Sequence, residues 1–166
     1  MQKFNTRTLV TMAMLVAVEI VLSRFLSVSA WNTKIGFAFV PVAVAAVLLG
    51  PLEAGVVAAL ADFLGAILFP TGPYFPGFTL TAFLMGLSYG LFHRDQRLPR
   101  VLLAVAIHQF ILSLLLNTLW VSILYGSPFG PLVISRLPQC AVLTVVQLVV
   151  IQLIVRLAPR LRGGRA

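Results

Sequence analysis

The chain has 166 residues, of which 60% are hydrophobic and only 10% are charged, with a net charge of +8 and a mean hydropathy of +1.05. Soluble domains carry about 25% charged residues, so this composition excludes an ordinary soluble domain and predicts an integral membrane protein. Because a transmembrane helix takes about 20 apolar residues, nearly the whole chain is needed for five or six of them. We therefore expect one membrane-embedded domain over residues 1–166.

The apolar runs predict an all-α protein with six transmembrane helices. The predicted helices run from about Arg7 to Arg24, Gly36 to Leu49, Leu52 to Phe69, Gly77 to Phe92, Val101 to Tyr125 and Ile134 to Leu157. The second is the shortest and contains Pro41. Turns are expected at Gly50-Pro51 and from Gly126 to Pro131, and residues 25–35 are expected to form a polar loop.

The basic residues predict how the helices are oriented. With six spans, one side of the membrane holds nine cations, namely Lys3, Arg7, Arg94, Arg97, Arg100, Arg156, Arg160, Arg162 and Arg165. The other side holds three, Arg24, Lys34 and Arg136. Lys and Arg accumulate on the cytoplasmic side, so both termini are expected in the cytoplasm. This distribution sets membrane topology and gives no reason to expect nucleic-acid binding.

A stiff, aromatic segment joins the third and fourth predicted helices, from Phe69 to Thr81. Its prolines and glycines rule out a continuous helix, and it carries Tyr74, Phe75 and Phe78 with Thr79 beside them. Such a segment can form a lid or a stacking wall for a flat ligand. The alternative is a turn at the membrane interface, with the aromatic rings anchored among the lipid headgroups. The sequence leaves both open.

Cations and polar side chains converge on the same external end. Arg24, Lys34 and Arg136 suit an anionic ligand, or else they contact lipid phosphates. Inside the helices, Asp62 lies eight residues before Pro70, about 12 Å below the segment, where its carboxylate either meets a ligand or bonds another helix. Glu19 is expected to pair with an interior arginine. We list Asn117 and Trp120, on the outer half of the fifth helix, as further pocket residues.

Catalytic and energy-coupling motifs are not found in the sequence. It has no phosphate-binding Gly-x-x-x-x-Gly-Lys-Ser/Thr loop, no nucleophile elbow, and no His/Cys pattern with metal-ligand spacing, so we expect neither a cofactor nor a metal. A small membrane enzyme acting on a lipid headgroup is therefore a weaker alternative, as is a purely structural membrane protein. Ala13 and Ala17 form a shallow groove on the first helix, where another helix can approach closely.

Several motifs resemble one family. They are Thr6-Arg-Thr-Leu-Val-Thr-Met-Ala-Met-Leu-Val-Ala17, Glu19-Ile-Val-Leu-Ser-Arg-Phe25, Lys34-Ile-Gly-Phe37, Gly50-Pro-Leu52, Ala61-Asp-Phe-Leu-Gly-Ala-Ile-Leu-Phe-Pro70 and Phe75-Pro-Gly-Phe-Thr-Leu-Thr81. In order and spacing they resemble the folate-specific S components of energy-coupling factor (ECF) transporters. The likeness covers the first 90 residues, while residues 100–166 match mainly in hydropathy and length.

This resemblance implies a vitamin-binding subunit in a prokaryotic cell membrane. Such subunits bind a vitamin from outside and associate with a transmembrane coupling subunit and two cytoplasmic ATPases, which explains why this chain needs no phosphate loop. Ala13 and Ala17 correspond to the family's docking surface for the coupling subunit. The S component topples in the membrane to carry the vitamin inward, and ATP hydrolysis resets it.

Folate also suits the predicted pocket. Its flat pterin ring can stack on aromatic side chains, drawn from Trp31, Tyr74, Phe75, Phe78 and Trp120. Its glutamate tail can pair with Arg24, Lys34 or Arg136, and Asp62 can accept from the amino and ring N–H edge of the pterin. An S component for another vitamin, such as thiamine or riboflavin, is the nearest alternative.

Overall fold

The computed structural model of the protein describes the backbone of residues 5–30, 33–70, 72–93 and 97–163, and the side chains of residues 5–27, 36–70, 72–93 and 97–157. Within those ranges the fold is helical apart from one short hairpin. The helices are α1 (Thr6–Arg24), α2 (Phe39–Leu48), α3 (Pro51–Leu68), α4 (Pro76–Tyr89), α5 (Leu98–Tyr125) and α6 (Phe129–Gly163). The hairpin pairs β1 (Val28–Ala30) with β2 (Thr33–Ile35) in antiparallel register.

Four helical segments of the described chain are long and apolar enough to cross a membrane. They are Thr6–Arg24, Pro51–Leu68, Leu98–Tyr125 and Phe129–Leu157. The two remaining apolar helices, Phe39–Leu48 and Pro76–Phe92, are shorter. At 1.5 Å per residue, α2 is about 15 Å long, half of a hydrocarbon core about 30 Å thick. The protein is thus an all-α membrane protein, while the number of crossings and the side on which the termini lie stay predictions.

The short helix α2 lies in the centre of the bundle. Val42, Ala43, Ala45 and Ala46 are all fully buried, and the helix packs against α1, α3, α4 and α6. Its small side chains allow these neighbours to approach closely. Protein covers most of α2, and only Val40, Val44 and Leu48 on one face are partly exposed, so α2 does not need the length of a fully lipid-facing helix.

Helices α3 and α4 form the closest pair in the bundle. Helix α3 begins at Pro51, directly after Gly50 with a φ of 136°, which a side-chain-bearing residue rarely adopts. A Cβ atom at Gly86 of α4 would lie 2.5 Å from the carbonyl carbon and oxygen of Ala54, and one at Gly55 would lie 2.9 Å from the Phe83 ring. The absence of side chains at these glycines therefore sets the distance between α3 and α4.

Three local expectations from the sequence are wrong. The segment 25–35 contains the β1–β2 hairpin, whose residues are too few to give a strand pattern. Helix α6 begins at Phe129, five residues before its predicted start. Pro131 lies in its first turn, where backbone N–H groups have no partner within the helix, so the missing N–H of proline does not prevent helix formation there. Helix α2 begins at Phe39, three residues after its predicted start at Gly36, whereas α4 begins at Pro76, within one residue of its prediction, so that Phe78 and Thr79 lie in its first turns.

Candidate functional site

A cavity of about 420 Å³ lies at one end of the bundle. The C-terminal parts of α1, α3 and α5 meet the N-terminal parts of α4 and α6 there, and the segment between α3 and α4 closes one side. Its lining includes Glu19, Ser23, Arg24, Ala38, Asp62, Ala66, Gly72, Pro73, Tyr74, Phe75, Phe78, Thr81, Ala82, Met85, His108, Asn117, Val121, Leu124, Tyr125 and Arg136. The site therefore combines flat rings, two guanidinium groups and two carboxyl groups.

A chain of hydrogen bonds connects α3 to the aromatic segment. The Thr79 hydroxyl donates to Oδ2 of Asp62 over 2.8 Å, and the hydroxyls of Tyr74 and Thr79 are 3.2 Å apart. The Tyr74 ring also packs edge-on against Phe63, with the ring centroids 5.7 Å apart. Asp62 and Tyr74 line the cavity, whereas Thr79 lies outside the lining and positions both of them.

Two aromatic side chains on the α4 side form a wall of the cavity. Phe75 packs against Phe78, with centroids 6.1 Å apart, and against Trp120 at 5.5 Å. Trp120 is not among the lining residues. It supports Phe75 from behind and donates from Nε1 to the Thr81 hydroxyl over 3.0 Å. A Cβ at Gly77 would lie 2.6 Å from both the Phe75 and Trp120 rings, so glycine is required there for this packing.

The cationic residues on the cavity wall come from α1 and α6. Nη2 of Arg24 lies 3.5 Å from the Asp62 carbonyl oxygen, and its guanidinium covers Gly65, where a Cβ would lie 2.9 Å from Nε. Nη1 of Arg136 lies 3.3 Å from the Thr118 hydroxyl. Both guanidinium groups are thus held in place on the wall.

The structure places most of the predicted site residues on the cavity wall and two of them in supporting positions. The cavity brings together Arg24, Asp62, Tyr74, Phe75, Phe78, Asn117 and Arg136. Thr79 and Trp120 take supporting positions, and the side chains of Trp31 and Lys34 lie outside the described residues. The role of each residue toward a ligand stays a prediction.

Sequence reasoning missed Glu19, Ser23 and His108 as wall residues. Glu19 and Ser23 are four residues apart on α1, and so on one face of the helix. Because Arg24 was already predicted to lie at the pocket end of α1, this spacing could have identified Glu19 and Ser23 as wall residues. His108 also bonds within the bundle, since its Nδ1 lies 3.0 Å from the Tyr89 hydroxyl and 3.1 Å from Oε1 of Gln147.

A smaller polar chamber of about 250 Å³ continues from the main cavity. The two share Ser23, Ala38, Met85, His108 and Asn117, and the chamber is further lined by Ser27, Gly36, Phe39, Gln109, Ser113, Leu143, Gln139 and Gln147. The middle of α5, Ile107–Leu116, is π-helical. Within or directly after this segment, Gln109, Ser113 and Asn117 of α5 all line the chamber.

An apolar groove of about 620 Å³ runs along the outer face of α1 and α3. It is lined by Leu9, Met12, Ala13, Val16, Ala17, Ile20, Val56, Leu60 and Leu64. Ala13 and Ala17 are both exposed in it. The groove is therefore a surface separate from the cavity and almost free of polar atoms, as the small-residue spacing predicts.

The family follows from the sequence of the whole chain. The family model for the ECF transporter, substrate-specific component, matches residues 7–155. The chain therefore belongs to the substrate-specific (S) components of ECF transporters, and it is a transport subunit rather than an enzyme. The resemblance stated from the sequence motifs is confirmed.

The chain is similar to particular members of this family. It is 42% identical over 153 residues to the folate transporter FolT of Clostridium novyi (strain NT), covering 91% of this chain and 88% of that protein. It is 37% identical over 126 residues to the folate transporter FolT of Leuconostoc mesenteroides subsp. mesenteroides, covering 74% of this chain and 68% of that protein.

Solved structures agree with this assignment. A crystal structure of FolT bound with folic acid superposes with a TM-score of 0.82 and 35% identity, over 87% of this chain and 90% of that one. The structure of an S component of a bacterial ECF transporter superposes with a TM-score of 0.66 over 95% of this chain and 96% of that one. At 22% identity the second likeness concerns the fold alone.

Proposed function

We propose that this protein is the folate-binding S component of a prokaryotic ECF importer, a multi-pass protein of the cell membrane. The observation that carries the proposal is the cavity between α1, α3, α4, α5 and α6, in a chain whose fold matches a FolT structure bound with folic acid over 87% of its length. On the charge pattern of the sequence, the cavity opens to the exterior, so folate enters from outside.

The chemistry of the cavity wall suits the two ends of folate. The pterin ring is flat and offers both faces for stacking, which matches the Phe75 and Phe78 rings. The glutamate tail carries two carboxylates, which match the guanidinium groups of Arg24 and Arg136, since guanidinium pairs with carboxylate through two parallel hydrogen bonds. A volume of about 420 Å³ also falls within the range of pockets for drug-sized ligands, about 300–1,000 Å³.

Transport needs partners as well as a binding site. We propose that the α1–α3 groove docks on the transmembrane coupling subunit, and that two cytoplasmic ATPases bound to that subunit supply the energy. The groove supports this role because it is apolar, lies apart from the cavity, and exposes Ala13 and Ala17, over which a partner helix can approach closely. The S component would topple with its bound folate and deliver it inward, and the rest of its surface contacts membrane lipid.

Binding measurements on the purified protein test the proposed substrate. We expect sub-micromolar folate binding and no comparable binding of thiamine or riboflavin, because neither of these carries the dicarboxylate tail. Weak folate binding together with tight binding of another vitamin would overturn the proposal.

A charge variant tests the site itself. Arg24→Ala should weaken folate binding about 10- to 100-fold, the loss expected when a hydrogen bond to a charged group is removed. The matched control is Arg7→Ala, at the opposite end of α1, which should bind folate like the wild type. Equal affinities of the two variants would remove Arg24 from the site.

A further inference from the structure

Glu19 is a cavity residue whose carboxyl group has an unused acceptor. The side chain is only 5% exposed and lies in α1 against the cavity. Its Oε2 atom is buried and has no hydrogen-bond partner among the described residues, so the expected pairing with an interior arginine is not seen at this atom. Buried polar atoms are rarely left unsatisfied without a reason. An unpaired carboxyl oxygen on a residue that lines a binding cavity is a candidate for contact with the ligand.

One oxygen of the other carboxyl group of the cavity, Oδ2 of Asp62, is already engaged. Oδ2 of Asp62 accepts the hydrogen bond of Thr79 over 2.8 Å, and Thr79 in turn contacts the Tyr74 hydroxyl. Asp62 is thereby tied into the wall between α3 and α4. From the sequence alone, Asp62 was the expected partner of the pterin edge, but the carboxyl oxygen that is buried without a hydrogen-bond partner among the described residues is Oε2 of Glu19.

The position of Glu19 also fits the expected orientation of the ligand. It lies five residues before Arg24 on α1, about 7.5 Å further from the cavity mouth at 1.5 Å per residue. A ligand that enters the cavity past Arg24 therefore meets Glu19 deeper in the cavity. The nearby Ser23 does not satisfy Glu19, because its hydroxyl donates to the Ile20 carbonyl oxygen over 3.2 Å.

We propose that Glu19 recognises the amino-bearing edge of the pterin ring and makes the site selective for 2-amino heterocycles. This inference rests on the proposed folate binding. The 2-amino group and the neighbouring ring N–H are two parallel donors, and they match the two oxygens of a carboxylate.

A cycle of protein and ligand changes tests this assignment. Folate and its 2-desamino analogue are titrated against the wild type, Glu19→Gln and, as the matched carboxyl control, Asp62→Asn. The wild type should bind the analogue at least tenfold more weakly than folate. Glu19→Gln should lose at least tenfold for folate and clearly less for the analogue, because the analogue lacks one of the two donors that the carboxyl group accepts from. Asp62→Asn should weaken both ligands by a similar factor.

The other possible outcomes of these titrations also distinguish the roles of Glu19 and Asp62. Equal losses for both ligands in Glu19→Gln would show a structural role and overturn the proposal, as would a wild type that does not distinguish the two ligands. A selective loss in Asp62→Asn would assign the edge to Asp62 instead. If Glu19→Gln does not fold, Glu19→Asp carries the same cycle, since it keeps the carboxyl group and shortens its reach. A wild type that does not bind folate would refute the proposed function itself, which is a separate outcome.

Discussion

Gly86 offers the sharpest test of how the site is held together, because it sits where α3 and α4 touch. A Cβ at this position would lie 2.5 Å from both the carbonyl carbon and the carbonyl oxygen of Ala54, against an ordinary contact distance of 3.4–4 Å. The obstacle is backbone, which cannot rotate away as a side chain can. Gly86→Ala should therefore push α3 and α4 apart by about 1 Å at this point.

The size of the effect follows from this displacement. Overpacking of this kind costs about 1–3 kcal/mol, which corresponds to a fall in the apparent melting temperature of about 2–12 °C for a chain of this length. The hydrogen bond between Thr79 and Asp62 spans the same two helices. Losing about half of this bond should lower folate affinity about three- to tenfold, since a hydrogen bond to a charged group contributes about 1.5–3 kcal/mol in full.

The assay is thermal unfolding of the detergent-solubilised protein, with folate titration of the same samples. Gly130→Ala is the matched control, because it also lies in a helix and a Cβ there would have no atom within 4 Å. Removing a helical glycine should leave its stability unchanged or raise it by up to about 1 kcal/mol. Similar melting temperatures for the two variants would refute the argument that the α3–α4 contact needs a glycine.

Three further substitutions test other parts of the structure. Gly77→Ala should displace Trp120 and Phe75 and weaken folate binding by at least tenfold, measured by titration; unchanged binding would show that this wall adapts freely. Thr79→Val removes the donor to Asp62 but keeps the shape, so folate affinity should fall about three- to tenfold, and no fall would show that Asp62 needs no positioning. Tryptophan at both Ala13 and Ala17 should abolish co-purification with the coupling subunit while folate binding persists; an intact complex would contradict the docking role.

The sequence predicts the helical class of the fold because hydropathy is a strong signal. A lipid environment demands long apolar helices, so α1, α3, α5 and α6 follow directly from apolar runs. Helix α2 was the shortest predicted span and proves to be a ten-residue central helix. The hairpin and the early start of α6 were missed, since three-residue strands carry no periodic pattern and proline in a first turn looks like a turn signal.

The site is predicted less completely, because helical spacing locates a residue on a face but does not show what its atoms meet. Arg24, Asp62 and Asn117 were placed correctly at one end of the bundle, on the cavity wall. Trp120 was predicted to be a pocket residue but packs against Phe75 and is not among the residues that line the cavity. Glu19 was expected to pair with an interior arginine, whereas in the structure its Oε2 atom has no hydrogen-bond partner among the described residues.

The most direct test of the whole account is to fill the cavity and measure folate binding. Ala82 lines the cavity, so Ala82→Trp should occupy the space that the ligand needs. The control is Val142→Trp, on a side chain that is 59% exposed on α6. We predict one folate bound per chain for the wild type and for the control, and none for Ala82→Trp. Unimpaired binding to a folded Ala82→Trp protein would mean that folate binds elsewhere and would contradict the account.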